Sequence, residues 1–105
     1  MTTPAELAEA MARLWAKFRP EMVQRISLVE EAADAAATGV LTEEQRASGH
    51  AAAHKLAGSL GLFGMTRGTE IARQIEHALE DSGSTPSADL LAWTTELRLL
   101  IESHG

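Results

Sequence analysis

Signals that start helices recur along this chain of 105 residues, and no segment shows the alternation of apolar and polar residues that a strand requires. The run TPAE beginning at Thr3 is a capping box with proline at the first helical position, and the run TEEQ beginning at Thr42 is a second capping box. We therefore predict a first helix from Pro4 to about Phe18 and a third helix that opens after Thr42 and ends near Gly64.

Proline, threonine and glycine mark the other helix boundaries. Arg19-Pro20 should end the first helix, because the residue before a proline is disfavoured in the helical conformation. The second helix then starts at Pro20 and stops at Thr38-Gly39. Thr66 should cap a fourth helix that closes at Ser82-Gly83, and Thr85-Pro86 should start a fifth.

Apolar residues recur at helical spacing in the last four of these segments and predict one shared core. The stripes consist of Met22, Val23, Ile26, Val29, Ala33 and Ala36; Leu56, Ser59, Leu60 and Phe63; Ile71, Ile75, Ala78 and Leu79; and Leu90, Trp93, Leu97, Leu100 and Ile101. Helices of roughly 15 to 20 residues joined by short loops pack most simply as antiparallel neighbours. We therefore predict an all-α single domain over residues 1–105, an antiparallel up-and-down four-helix bundle with an additional N-terminal helix across one end.

Composition argues against several classes of function. The formal net charge is −6, from 15 acidic and 9 basic residues, which argues against binding to nucleic acid. The chain contains no cysteine, so it has no disulfide, thiolate ligand or thiolate nucleophile. No apolar run approaches the roughly 18 residues of a membrane span, and nothing resembles a signal peptide. We expect a cytoplasmic protein that binds neither nucleic acid nor a membrane.

Inside the predicted third helix, a histidine is followed four residues later by a glycine. Glycine in a helix interior costs roughly 1 kcal/mol relative to alanine, so Gly58 needs a reason. Residues four apart share a helix face, and Gly58 would therefore leave the imidazole of His54 open to a large molecule. Leu56 of the apolar stripe lies about 200° around the helix from His54, which directs the histidine away from the core.

The segment HKLAGS beginning at His54, followed by Phe63-Gly64 and an amphipathic helix, resembles the histidine phosphotransfer domain, or HPt domain, of bacterial multistep phosphorelays. The positions that match the family pattern are Leu56, Gly58, Ser59, Phe63 and Gly64. The resemblance implies that His54 accepts a phosphoryl group from a receiver-domain aspartate or a histidine kinase and passes it to a receiver domain. It implies a phosphocarrier rather than a free-standing enzyme, because the partner receiver completes the chemistry.

The chain departs from the family pattern at one position. The family often has a lysine three residues after the histidine, whereas this chain has Ala57 there and Lys55 directly after His54. By position along the motif, the resemblance implies that Glu76 on the following helix bonds to the imidazole. Arg73, one turn before Glu76, would share its face. We expect Lys55 or Arg73 to supply the cation that supports the phosphoryl group.

The surface around His54 is expected to bind the partner. The small residues that would provide clearance and docking are Ala57, Gly58, Ser59 and Gly61. In the family, the magnesium ion and the phosphorylated aspartate belong to the receiver, so we expect no cofactor and no metal in this chain. The expected partners are a response-regulator receiver domain and a histidine kinase, and the motif requires only a monomer.

Two other functions fit the same residues. The absence of a lysine at Ala57 fits an adaptor that binds receivers without being phosphorylated. His50 and His54 are four residues apart on one helix face, a spacing that suits two imidazoles on one zinc ion. Glu76 or His77 would have to supply a further ligand. The metal hypothesis makes His50 essential, whereas phosphotransfer does not require it.

Overall fold

The computed structural model describes residues 1–80 and 87–104, and this part of the chain contains four helices. They are α1 (Pro4–Ala37), α2 (Glu43–Leu62), α3 (Thr66–Ala78) and α4 (Ser87–Ser103). Each helix packs against its neighbour in the chain, and α4 closes the ring by packing against α1. The predicted all-α bundle is therefore confirmed.

Neighbouring helices run in opposite directions. The indole Nε1 of Trp15, near the start of α1, donates a hydrogen bond to the carbonyl of His104 at 3.0 Å. Further along α1, Glu30 accepts a hydrogen bond from Nε of Arg98 at 2.6 Å, so residue numbers rise along α1 as they fall along α4. The same reversal relates α1 to α2 and α2 to α3. These contacts establish the up-and-down arrangement.

The predicted helix break at Arg19-Pro20 is wrong, because α1 continues through Pro20. A proline inside a helix removes one hydrogen bond and costs about 3 kcal/mol. Burial on both sides offsets this cost, since Trp15 and Met22 are both in the core. Pro20 and Ala16, whose carbonyl loses its partner, are both exposed, so water can bind that carbonyl. The additional N-terminal helix is thus the first part of α1 and not a separate helix across one end of the bundle.

The helix starts follow most of the predicted capping signals. The hydroxyl of Thr3 accepts a hydrogen bond from the amide of Glu6 at 3.1 Å, and α2 opens with a complete capping box at Thr42. The prediction that Thr66 caps the next helix is wrong. The cap residue is Met65, which makes no side-chain capping bond, and Thr66 is already the first helical residue of α3.

Two glycines mark the ends of α1 and α2 in the structure. Gly39 and Gly64 have φ angles of +72° and +69°, in the left-handed region that favours glycine. The predicted stops at these positions are confirmed. The helix predicted to close at Ser82-Gly83 ends earlier, at Ala78, with Leu79 as its cap. Ser82-Gly83 and the predicted start at Thr85-Pro86 lie outside the described residues.

The predicted apolar stripes form the core. Its large, fully buried side chains are Met22, Ile26, Val29, Leu56, Leu60, Ile71, Ile75, Leu97 and Ile101. The remaining members of the stripes are buried or half-buried. One face of α2 is therefore occupied by the core, and its opposite face is left at the surface. Within the described ranges, no helix is both long enough and apolar enough to span a membrane.

Candidate functional site

His54 lies at the surface of α2 with 71% of its side chain exposed, and its ring contacts α3. Its Nδ1 atom is 2.7 Å from Oε2 of Glu76, so the structure brings these two predicted site residues together. The side chain of Glu76 is only 20% exposed. A carboxylate only accepts hydrogen bonds, so in the neutral imidazole Nδ1 carries the hydrogen and Nε2 keeps its lone pair. The pair therefore fixes one tautomer of a surface imidazole.

Gly58 lies one turn after His54 on the exposed face of α2. A Cβ atom added at this glycine would have no neighbouring atom within 4 Å. Packing inside the protein therefore does not require a glycine here, although the glycine weakens the helix. The open space is compatible with clearance for an outside molecule beside His54, which stays a prediction.

The two predicted cations lie on either side of the imidazole. Lys55 is exposed on α2, about 100° around the helix axis from His54. Arg73 is exposed on α3, and the antiparallel register places it level with Gly58. Within the described residues, neither cation makes a hydrogen bond or ion pair. Both side chains are long and flexible and remain available to a group bound at the surface.

The structure places only part of the predicted docking set at the surface. Gly58 and Gly61 are exposed. Ala57 is 5% exposed and belongs to the core, so its predicted place on the docking surface is wrong. Ser59 is half-buried, and its hydroxyl accepts a hydrogen bond from Nη1 of Arg25 on α1 at 2.9 Å. The spacing of residues within one helix does not reveal how that helix is aligned with another. The hydrogen bond from Arg25 to Ser59 was therefore not predicted.

An apolar groove lies between α1 and α2, next to the exposed face of α2. It is lined by Met11, Leu14, Phe18, Glu21, Met22, Arg25, Ser59, Leu62 and Phe63. Leu14, Phe18 and Leu62 are exposed. Leu62 lies one turn beyond Gly58 on α2, so the groove is continuous with the surface beside the imidazole. This groove was not predicted from the sequence, because a helix break at Pro20 would turn the first helix away from α2.

A second group of ionisable side chains lies one turn before His54. Nε2 of His50 is 4.0 Å from Oε1 of Glu80, and one donor atom each from His50, Glu76 and Glu80 lie within 4.8 Å of one another. The structure thus groups His50 with two carboxylates rather than with His54. His77, the other ligand that the sequence suggested, has its Nδ1 3.4 Å from Oε2 of Glu80.

Two arginines hold α3, and with it Glu76, in place. Arg46 of α2 donates hydrogen bonds to two carbonyls just after the end of α3. At the other end of α3, Nε of Arg67 donates to Oε2 of Glu96 on α4 at 2.8 Å. This hydrogen bond holds the pKa of Glu96 below its usual value and raises the pKa of Arg67.

The described chain is thus a four-helix bundle with a carboxylate-paired histidine on the surface of its second helix. The Hpt domain family model matches residues 13–103. The chain therefore belongs to the Hpt domain family.

A curated protein also shows similarity to the chain. Protein RcaC of Microchaete diplosiphon is 35% identical over 65 residues, which is 62% of this chain and 10% of RcaC. The chain thus spans about 10% of the length of this relative. No solved structure matches the chain.

Proposed function

We propose that Nε2 of His54 accepts a phosphoryl group from a receiver-domain aspartyl phosphate or a histidine kinase and donates it to a receiver domain. The observation that carries this proposal is the hydrogen bond of Nδ1 to Glu76 on an otherwise exposed ring. In the step from a receiver, a bond forms between Nε2 and phosphorus as the bond between phosphorus and the aspartate oxygen breaks. The aspartate leaves as a carboxylate, and the reverse step returns the phosphoryl group to an aspartate.

Glu76 stabilises the charge that develops during transfer. When Nε2 forms its bond to phosphorus, the imidazole becomes cationic while Nδ1 keeps its hydrogen. The carboxylate of Glu76 is already in place at 2.7 Å, so no group must reorganise to meet this charge. The same hydrogen bond orients the ring, as a carboxylate does for a general-base histidine.

Lys55 and Arg73 act on the phosphoryl oxygens. Both are exposed near His54, and neither is engaged by another described residue. Hydrogen bonds from a cation to phosphate are stronger than neutral ones, so either side chain would prolong the lifetime of phosphorylated His54. In this proposal they replace the lysine that the family often carries at the position of Ala57.

The receiver domain binds over the exposed face of α2 and the adjoining apolar groove. Gly58 and Gly61 allow its backbone to approach the imidazole, while Phe18 and Leu62 offer apolar surface at the groove. The receiver brings the phosphorylated aspartate and its magnesium ion. The residues of this chain bind the partner, orient the imidazole and stabilise the transferred group.

The test is the intact mass of the protein after treatment with phosphoramidate, a donor that requires no partner. We expect one phosphoryl adduct, labile in acid and stable in alkali, on the wild type and on the matched control His50→Gln. The adduct should be absent from His54→Gln. Absence of an adduct on the wild type, or the same adduct on His54→Gln, would refute the proposal and favour an adaptor that binds receivers without being phosphorylated.

A further inference from the structure

The group formed by His50, Glu76 and Glu80 has a feature that the phosphotransfer proposal does not use. The Nε2 atom of His50 is buried and has no hydrogen-bond partner among the described residues. A buried polar nitrogen without a partner is unfavourable. This atom lies 4.0 Å from Oε1 of Glu80, which is too far for a hydrogen bond but leaves space for an ion between them.

Charge in this group also favours a cation. Glu76 and Glu80 are four residues apart, and like charges at this spacing repel each other. Arg46 of α2 donates to main-chain carbonyls after α3 and to the carboxylate of Glu43. His77 approaches Glu80 from outside with its ring largely exposed. The group therefore places two carboxylates beside the imidazole of His50.

We propose that His50, Glu76 and Glu80 form a binding site for a divalent transition-metal ion, with Zn²⁺ as the best match. One imidazole and two carboxylates are ligands that zinc accepts, and a water molecule can complete four-fold coordination. Ligand atoms around zinc are about 3.3 Å apart, so donor atoms already within 4.8 Å need only small side-chain rotations to bind it. Mg²⁺ is a poor match because it prefers oxygen ligands and octahedral geometry.

The site shares Glu76 with His54, so the two are coupled. A zinc ion on Glu76 withdraws negative charge from the hydrogen bond to Nδ1 of His54. Bound zinc therefore slows phosphoryl acceptance, a consequence that rests on the proposed function. Because the hydrogen bond from His54 occupies the Glu76 carboxylate, removal of the His54 ring should leave zinc binding as tight or tighter.

The binding test is calorimetric titration of the unphosphorylated full chain with ZnCl₂, repeated with MgCl₂. We expect one zinc ion per chain, and affinity lower by about tenfold or more in His50→Gln and in Glu80→Gln. His77→Gln is the matched control, because this residue also contacts Glu80 but lies outside the proposed ligand set. It should bind zinc like the wild type, and His54→Gln should bind zinc as tightly as the wild type or more tightly. Far-UV circular dichroism verifies that each variant is folded.

The calorimetric results test the metal site independently of phosphotransfer, because the titration contains no phosphoryl donor. Absence of zinc binding, or unchanged affinity in folded His50→Gln, would overturn the site. Loss of binding in His54→Gln would instead assign the ion to the His50 and His54 pair.

The coupling between zinc binding and phosphoryl acceptance by His54 is tested by the ratio of phosphoramidate acceptance rates with and without zinc. A ratio of one in the wild type under saturating zinc would overturn the coupling.

Discussion

Gly49 and Gly58 lie on the same helix in opposite surroundings. A Cβ atom at Gly49 would lie 2.7 Å from Cβ of Ala32 on α1, whereas a Cβ atom at Gly58 would meet nothing within 4 Å. The first glycine therefore allows α1 and α2 to pack closely. The second has no such packing role among the described residues.

This contrast predicts opposite effects of filling the two positions. Gly58→Leu should stabilise the fold by up to about 1 kcal/mol, because leucine favours a helix and the site has room for it. The same side chain should crowd His54 and slow transfer from a phosphorylated receiver domain by about tenfold or more. Urea unfolding measures the first effect, and phosphoryl transfer followed by intact mass measures the second.

Gly49→Ala is the matched control. It should lower the free energy of unfolding by about 1–3 kcal/mol, because the added methyl group overpacks the contact with Ala32. Transfer by the folded fraction should stay close to that of the wild type. Normal transfer by Gly58→Leu would show that clearance beside His54 is not the reason for the glycine.

The choice between the two candidate cations is also testable. Lys55→Ala and Arg73→Ala each leave the helix content unchanged, because both side chains are exposed. If the cations hold the phosphoryl oxygens, at least one variant should shorten the lifetime of phosphorylated His54, and the double variant should shorten it most. Lifetimes are measured by intact mass after removal of phosphoramidate. Equal lifetimes for the wild type, both single variants and the double variant would refute a role for either cation.

Helix content and core were predictable from sequence because they depend on local signals. Capping boxes, glycine stops and apolar spacing act within a few residues, and they located most helix ends. The continuation of α1 through Pro20 was not predictable from such local signals. Its local cost of about 3 kcal/mol is offset by burial of Trp15 and Met22, which depends on contacts between segments far apart in the chain, such as the hydrogen bond from Trp15 to His104.

Pro20→Ala should therefore stabilise the protein. It restores a hydrogen bond within α1, and the expected gain in the free energy of unfolding is about 1–3 kcal/mol. Pro4→Ala is the matched control: Pro4 is the first residue of α1, where proline costs little, so stability should change little. Both are measured by urea unfolding. A loss of stability in Pro20→Ala would mean that the proline ring itself contributes packing that outweighs the lost hydrogen bond.

The ion pair between Arg67 and Glu96 predicts a dependence of stability on pH. The hydrogen bond from Arg67 lowers the pKa of Glu96 in the folded protein. The pair therefore contributes stability above the usual glutamate pKa of about 4.3, and this contribution is lost as the pH falls through the lowered folded value. Arg67→Gln should raise the pKa of Glu96 and make unfolding less sensitive to pH in this acidic range.

NMR titration of the Glu96 carboxyl carbon measures this shift directly. Glu43 provides an internal control, because its hydrogen bond with Arg46 lowers its pKa independently of Arg67. The pKa of Glu43 should stay low in Arg67→Gln. An unchanged pKa of Glu96 in the variant would show that the ion pair is not maintained in solution.

The sequence was enough to identify His54 as the candidate site residue, but it predicted only part of the contacts around it. The motif and the glycine one turn later gave the position of the histidine on the outer face of α2. Its contact with Glu76 was inferred by resemblance, since the register between two helices depends on how their side chains interlock. For the same reason the sequence suggested that His50 and His54 could share a metal ion, whereas the fold places His50 next to Glu80.

Glu76→Gln separates the two effects attributed to this carboxylate. The glutamine oxygen can still accept the hydrogen bond from Nδ1 of His54, so the ring keeps its orientation, but the negative charge is gone. If charge stabilisation is the larger effect, phosphoramidate acceptance should fall by about tenfold or more with little change in unfolding. Glu70→Gln is the matched control, because this glutamate is exposed on the same helix and does not contact His54. Equal acceptance rates for Glu76→Gln and the wild type would assign Glu76 to orientation alone.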